Sequence, residues 1–287
     1  MIDMHLHTYY SDGTMSPSDI VKRALDKGVR TLAITDHDGL YGIEEAISAG
    51  KLYGVTVIPG IELSTIMTLG ELGLKKNFED GIVNMHILGY EIDIHDEGLN
   101  KAVKEIRRKR EERNRRLLTA LNRIGLNIEE KDLLQRKDQN YVGKPNFALA
   151  LKKKGYIQTT GEANTPGKFL RHPEARSIHR EKIHVRKAID LIKNAGGYSV
   201  LAHPLKVRFP CYEGAEKYDL LDILLEKLIK WGLSGMECYY SSHNSEQIEK
   251  LVSLAKSRDM VITAGSDFHS PDFDPKVEIG QVEKEHK

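Results

Sequence analysis

His5 and His7 stand one residue apart at the end of the first apolar segment, MIDMHLH. In an extended strand, side chains two apart share a face, so both imidazoles point the same way while Ile2, Met4 and Leu6 take the other. Similar side chains recur at the ends of later segments that read as strands: Asp36 and His37, Glu62, His203, then Asp267 and His269. His86 falls inside a further strand, and Asp12 lies in the loop after the first. A set of imidazoles and carboxylates with no thiolate suits Zn, Mn or Fe. Nine ligand candidates (His5, His7, Asp12, His37, Glu62, His86, His203, Asp267, His269) exceed the needs of one ion. They suffice for two or three divalent ions, with a carboxylate such as Glu62 as a bridge. A lone His-x-His reads as a half-exposed strand; its recurrence at strand ends points to a metal site.

The elements that must position these groups alternate. TLAITDHD, VTVIPGIEL, NMHILGYEI, YSVLAHP, SGMECYY and MVITAGSDFH follow the first strand, which makes seven. Ser16-Pro17-Ser18-Asp19 supplies an N-cap, a proline at the first helical position and an acid in the first turn, and Gly28 stops that helix. Further helices are expected at 42–49, near 220–231 and near 245–257. This alternation predicts a parallel α/β architecture, and in a closed barrel the carboxyl ends of the strands meet on one rim.

Residues 99–187 break the rhythm, with a charged, helical pattern that reads as an insertion. The expected division is barrel over 1–98, helical cap over 99–187, barrel again over 188–271 and a tail over 272–287. Between Lys101 and Arg116 there are nine Lys/Arg against three Glu. This reads first as a solvated face with Glu105–Lys109 and Glu112–Arg116 pairs, and second as a surface that attracts polyanions through Arg107, Arg108, Arg110 and Arg113.

Over all 287 residues Lys+Arg total 43 against 42 Asp+Glu, so no global charge imbalance points to nucleic acid or an anionic membrane. Cys211 and Cys238 are too few for a disulfide framework, and no apolar run is long enough to span a bilayer. A cytoplasmic protein is expected.

His5-x-His7, Asp12, Ile34-Thr35-Asp36-His37-Asp38, Pro59-Gly60-Ile61-Glu62, His86-Ile87-Leu88-Gly89-Tyr90, Ala202-His203-Pro204 and Gly265-Ser266-Asp267-Phe268-His269 together resemble the polymerase and histidinol phosphatase (PHP) family. The similarity is greatest to its small metal-dependent phosphoesterases that act on nucleotides and oligonucleotides. The resemblance implies a distorted (β/α)7 barrel. It implies one metal on His5, His7, Glu62 and Asp267, a second on Glu62, His86 and His203, and a third on Asp12, His37 and His269. Where such enzymes tend to show Gly-Arg-Pro-His, this chain has Gly143-Lys144-Pro145-Asn146, which replaces a two-pronged phosphate contact with a point charge.

The chemistry so implied is hydrolysis of a phosphate ester by a metal-activated hydroxide, with Glu62, Asp36 and His203 as the catalytic group. Asp36 is expected to orient a ligand histidine rather than to supply a proton. Lys144, Asn146, Arg180 and His243 are expected to hold further phosphates, and His95, His172, His179, His184 and His286 belong to the surface. The expected partner is a small phosphorylated substrate such as AMP or a 3',5'-bisphosphate, with short single-stranded nucleic acid as a further class. A histidinol-phosphate-type phosphatase and a binuclear amidohydrolase are the rival readings, and a non-enzymatic metal-bearing accessory module is a third. Asp12, His37 and His269, with the basic insertion, suit phosphate better than amide.

Overall fold

Short apolar runs without helical period give the strands, and amphipathic segments between them give the covering helices. The computed structural model describes residues 1–74, 81–134, 136, 139, 141–210, 217–271 and 274–282. The first half runs β1 (Ile2–Leu6), α1 (Pro17–Asp26), β2 (Thr31–Ile34), α2 (Ile43–Tyr53), β3 (Thr56–Thr68) and β4 (Ile82–Tyr90). The helical stretch follows as α3 (Glu97–Arg123), α4 (Glu130–Leu133), α5 (Lys144–Lys153) and α6 (Pro173–Arg176). The chain closes with β5 (Ile183–His184), α7 (Val185–Asn194), β6 (Tyr198–Leu201), α8 (Lys217–Lys230), β7 (Gly235–Tyr240), α9 (Ser245–Lys256) and β8 (Val261–Gly265).

The strands pair in the order β1-β2-β3-β4-β6-β7-β8. The sheet closes on itself where Leu6 bridges Phe268 in parallel and the His7 N–H donates to the Phe268 carbonyl at 3.0 Å. The architecture is therefore the expected distorted barrel of seven strands. β5 is an eighth, two-residue strand that pairs with the far end of β3 at Thr65 and Ile66.

The expectation of a wholly parallel sheet is corrected at β4, which runs antiparallel to both β3 and β6. Parallel neighbours need a long crossover, usually a helix. Among the described residues, the return from Thr68 to Ile82 holds only a single 3₁₀ turn, Leu69–Leu72, so the chain doubles back. β4 thus enters the barrel from the rim on which the other strands end, and this places His86 near the rest of the set.

Local chemistry fixes the helix ends as expected. Ser16 Oγ accepts from the Asp19 N–H at 3.0 Å, and Pro17 opens α1. Two hydrophobic cores lie along α3. Its first half inserts Leu99, Val103 and Ile106 into the main barrel core with Leu63, Ile87 and Ile189. Its second half packs Leu117 and Leu121 with Phe147, Leu151 and Leu170 in a core of its own. The described part of the tail is tied down: Ile279 and Val282 are buried, and Glu278 pairs with Arg23 at 2.7 Å and Lys27 at 3.0 Å. No described helix is long and apolar enough to cross a membrane. Cys238 is a buried free thiol, while Cys211 and His286 lie outside the described residues.

Candidate metal centre

The rim of the barrel gathers the nine imidazoles and carboxylates around Glu62, which is fully buried. Glu62 Oε2 lies 2.8 Å from His37 Nδ1, 3.4 Å from His7 Nε2 and 3.5 Å from His5 Nε2. Its Oε1 lies 2.8 Å from His86 Nδ1 and 3.1 Å from His203 Nε2. Asp267 Oδ1 faces His7 Nε2 at 3.2 Å and His5 Nε2 at 3.5 Å, and Asp12 Oδ1 faces His269 Nε2 at 3.2 Å.

Three groups have ligand atoms all within 4.8 Å of one another: His7, Asp12, His37 and His269; His5, His7 and Asp267; His37, Glu62 and His86. The geometry shares His7 and His37 between neighbouring groups more than the family pattern implies. His203 falls outside these three groups and reaches the set through Glu62.

Two backbone features aim the ligands. His203 and Asp267 follow their strands with φ of +27° and +58°, conformations rarely held by non-glycine residues and typical of sites where structure overrides local preference. Gly265 lets β8 approach β1, since a Cβ there would stand 2.3 Å from His5 Cβ and 2.5 Å from Glu237 Oε1.

Whether these residues fit metal ions is decided by atoms that meet without bonding. His5 Nε2, His7 Nε2, His37 Nδ1, Asp12 Oδ1 and Glu62 Oε2 are buried and lack hydrogen-bond geometry to any partner. Buried polar atoms are ordinarily satisfied. Here the lone-pair atoms converge on shared space, an arrangement that cations resolve. Protonation follows the same logic. Burial, then the neighbouring His269, pushes His7 down to about 3, and burial pushes His86 down to about 4, so both present unprotonated nitrogens at neutral pH. Burial opposes the ionisation of Glu62, yet His37, His86 and His5 hold its carboxyl well below the usual range. Asp267 is likewise held low against burial by His5 and His269.

Supporting residues include some that sequence reasoning missed. Glu237, buried on β7, accepts from His5 Nδ1 at 2.9 Å and from the His203 main-chain N–H at 2.7 Å. A glutamate between Met236 and Cys238 was the signal available. Tyr240 donates to Asp267 Oδ2 at 2.7 Å, and Lys206 contacts both. Asp36 spends its carboxylate on the loop after β1. It accepts from Thr8 N and Thr8 Oγ1 at 2.7 and 2.6 Å and from Ser11 Oγ, which in turn lies 3.4 Å from His7 Nδ1. Its orienting effect on a histidine is thus indirect, and three donors leave it poorly placed to pass a proton.

A cavity of about 820 Å³ opens above the cluster, reaching from Asp12, Glu62 and Asp267 to Lys144, Arg180 and His179. It is also lined by Arg110, Arg113, Lys182, Lys206 and Arg208, and among the described residues the only acids in its lining are the three ligand candidates. Arg110 and Arg180 share Asp38, the latter at 2.6 Å. Burial opposes Asp38's ionisation, but these two guanidiniums hold it well below the usual range. Arg113 is 5% exposed, and its Nε has no partner. Burial, then Arg110 and Arg180, push Arg113 down to about 10, and burial with Arg180 pushes Lys182 down to about 8.

Three expectations change here. The face of α3 that carries Arg107, Arg110 and Arg113 is buried against the barrel, not solvated, whereas exposed Arg108 pairs with Glu105 and Glu112. Asn146 accepts the Gly143 N–H at 2.8 Å to cap α5 and is absent from the cavity lining. His179 stays exposed, as expected, while also lining the cavity. His243 turns Nδ1 to the Cys238 carbonyl at 3.0 Å, and its ring, held neutral by burial, suits a hydrogen-bond donor better than a phosphate.

Comparison with known proteins follows the same lines. The PHP domain family matches residues 3–230. A 5'-3' exoribonuclease of Haemophilus influenzae is 29% identical over 273 residues, which cover 94% of this chain and 90% of the relative. A 3',5'-nucleoside bisphosphate phosphatase of Chromobacterium violaceum is 27% identical over 275 residues, covering 94% and 87%. Among solved structures, one assigned as a metal-dependent phosphoesterase from Bifidobacterium adolescentis superposes with TM-score 0.74 at 26% identity, covering 94% of this chain and 87% of that one. A second, described as an amidohydrolase from Chromobacterium violaceum with bound sulfate and no metal, gives TM-score 0.80 at 26% identity, covering 96% and 89%.

Proposed function

The chain belongs to the PHP domain family and is a metal-dependent phosphoesterase, and on that premise we propose that it hydrolyses nucleotide-like esters carrying more than one phosphate. The observation that carries the substrate class is the basic cavity: an imidazole–carboxylate floor with seven Lys and Arg side chains lining the space above. The two relatives, a 5'-3' exoribonuclease and a 3',5'-nucleoside bisphosphate phosphatase, support the same class. A buried amide-hydrolase pocket has no use for so many cations, which weighs against the amidohydrolase reading.

In this proposal His5, His7 and Asp267, then Glu62, His86 and His203, then Asp12, His37 and His269 hold two or three ions of Mn, Zn or Fe. Bound ions supply the positive charge that neutralises the phosphoryl oxygens and lowers the pKa of the attacking water. The chain's own residues do the positioning. Glu62 joins the groups into one centre, Glu237 fixes His5 and the His203 backbone, and Asp36 pins the Thr8–Ser11 loop behind His7 and Asp12. Lys144, Arg113 and Lys182 hold the second phosphate, and Arg180 joins them while anchored by Asp38. The barrel halves 1–98 and 188–271 carry the metals, and the insertion 99–187 supplies the phosphate-binding wall. The reduced cysteine fits a cytoplasmic setting.

The test is a substrate panel of AMP, a 3',5'-bisphosphate, histidinol phosphate and a short RNA, with Mn, Zn and Fe supplied in turn. The bisphosphate or RNA should exceed histidinol phosphate in kcat/KM. Equal or greater hydrolysis of histidinol phosphate would move the chain to the small-molecule phosphatases.

A further inference from the structure

Of the Lys and Arg side chains that line the basic cavity, Lys206 is the one paired with a carboxylate of the imidazole–carboxylate cluster: its Nζ lies 3.4 Å from Asp267 Oδ2. Arg110 and Arg180 instead spend their charge on Asp38, which is not a ligand candidate. Lys206 also lines a second cavity, of about 670 Å³, which shares Asp12, Asp267 and His269 with the first. The ammonium therefore stands beside the cluster, where the two cavities meet.

The backbone mounts this residue closely on the ligand set. His203 is followed by the 3₁₀ turn Pro204–Lys206, in which the proline ring fixes φ and the Lys206 N–H donates to the His203 carbonyl at 2.8 Å. An ammonium has three N–H donors. One reaches Tyr240 Oη, whose own proton goes to Asp267 Oδ2 at 2.7 Å, and a second reaches Asp267 Oδ2. The third has no acceptor among the described residues, and the side chain is 52% exposed, so this donor opens to the cavity. Asp267 meanwhile turns its other oxygen, Oδ1, to His5 and His7. A group drawn to the cluster at Oδ1 is thus within one carboxylate's width of the ammonium.

We infer that Lys206 is a catalytic residue, whose third N–H contacts a non-bridging oxygen of the phosphoryl group under attack. This rests on the phosphoesterase reading, and it separates Lys206 from the cations assigned to the second phosphate. In the hydrolysis the water oxygen joins phosphorus, the ester P–O bond breaks and a proton ends on the departing oxygen. The ammonium gives up none of its own protons and serves by charge, which counts most where negative charge gathers on the phosphoryl oxygens of the transition state.

Lys206→Gln in the full-length, metal-loaded protein tests this on two substrates, p-nitrophenyl phosphate and a 3',5'-bisphosphate. Both present the reacting phosphoryl group, so kcat/KM should fall by the same factor on each, about 10²-fold, the lower end of the range for a transition-state donor because the side chain is half exposed. Bound metal per chain should stay at the wild-type value. Calorimetry should show inorganic phosphate, a product of monoester hydrolysis, binding about tenfold more weakly. A loss confined to the bisphosphate would place Lys206 with the second-phosphate residues, a loss of bound metal would make it a holder of Asp267, and unchanged phosphate binding would remove it from the anion; each overturns the inference. The wild type's preference between the two substrates tests the proposed function separately, because the Lys206 factor is a ratio within each substrate.

Discussion

The barrel rim and the Arg110–Arg113 turn of α3 are both buried and both charged, yet they are unsatisfied in opposite senses. At the rim, lone pairs of Glu62, His5, His7 and His37 converge with no proton arrangement that serves them all. On α3, Arg110 and Arg113 bring guanidiniums inside with Asp38 as the acid that Arg110 contacts, and Arg113 Nε is left unpaired. Burying charge without a partner is costly, so each region is complete only with a ligand of the sign it lacks. Cations for one and anions for the other, side by side, are the two halves of phosphate chemistry.

The sharpest way to break this contrast is Glu62→Gln. It removes the carboxylate that five imidazoles surround, and turnover of every phosphoester should fall about 10²–10³-fold. Metal content measured on the purified variant should fall with it. Retention of both would remove Glu62 from the centre of the cluster.

Arg113→Gln probes the other region. It should raise KM for a 3',5'-bisphosphate roughly 10- to 100-fold, the range for losing a charge-assisted hydrogen bond, and leave kcat on a monophosphate nearly unchanged. The same contact has a pH signature through Lys182. Its pKa in the free protein is pushed down to about 8, so it is charged below that pH and loses charge above it. An anion favours the charged form, so binding of the bisphosphate should take up protons near pH 8, and affinity should weaken as pH rises through that value. Calorimetry in buffers of different ionisation enthalpy reads the uptake, which Lys182→Gln should abolish.

The smallest effect should come from Arg108→Gln. Arg108 is more than half exposed and paired with Glu105 and Glu112, so stability should move by no more than about 0.5 kcal/mol, and the salt dependence of oligonucleotide hydrolysis should not change. A flattened salt slope would show that the outer face of α3 also meets substrate.

What the sequence made legible divides along similar lines. The cluster of candidate ligands was readable because imidazoles and carboxylates at strand ends are conspicuous against apolar runs, and seven strands followed from those runs. The direction of β4 was not readable, since a buried strand looks alike both ways and its connection to β3 carries no periodic signal. Glu237 was passed over because it sits within a strand, not after one. The buried arginines were misjudged because Arg is rarely buried, although Arg110, Arg113 and Leu117 continue at three- and four-residue steps the stripe begun by Leu99, Val103 and Ile106. His243 was picked out by sequence, but its ring polarity depends on a carbonyl that only the fold brings near.

The length of α3 bears on how substrate reaches the rim. Its 27 residues form one uninterrupted helix of about 40 Å, rooted in the barrel core at one end and in the second core at the other. Swinging the insertion away from the barrel at this crossing would require a break in that helix's hydrogen-bond ladder, and no proline falls within it. The arginine wall is therefore held at a fixed height over the imidazole–carboxylate cluster, like a jaw cast in one piece with its frame. Entry and exit along this side do not wait on a hinge within α3.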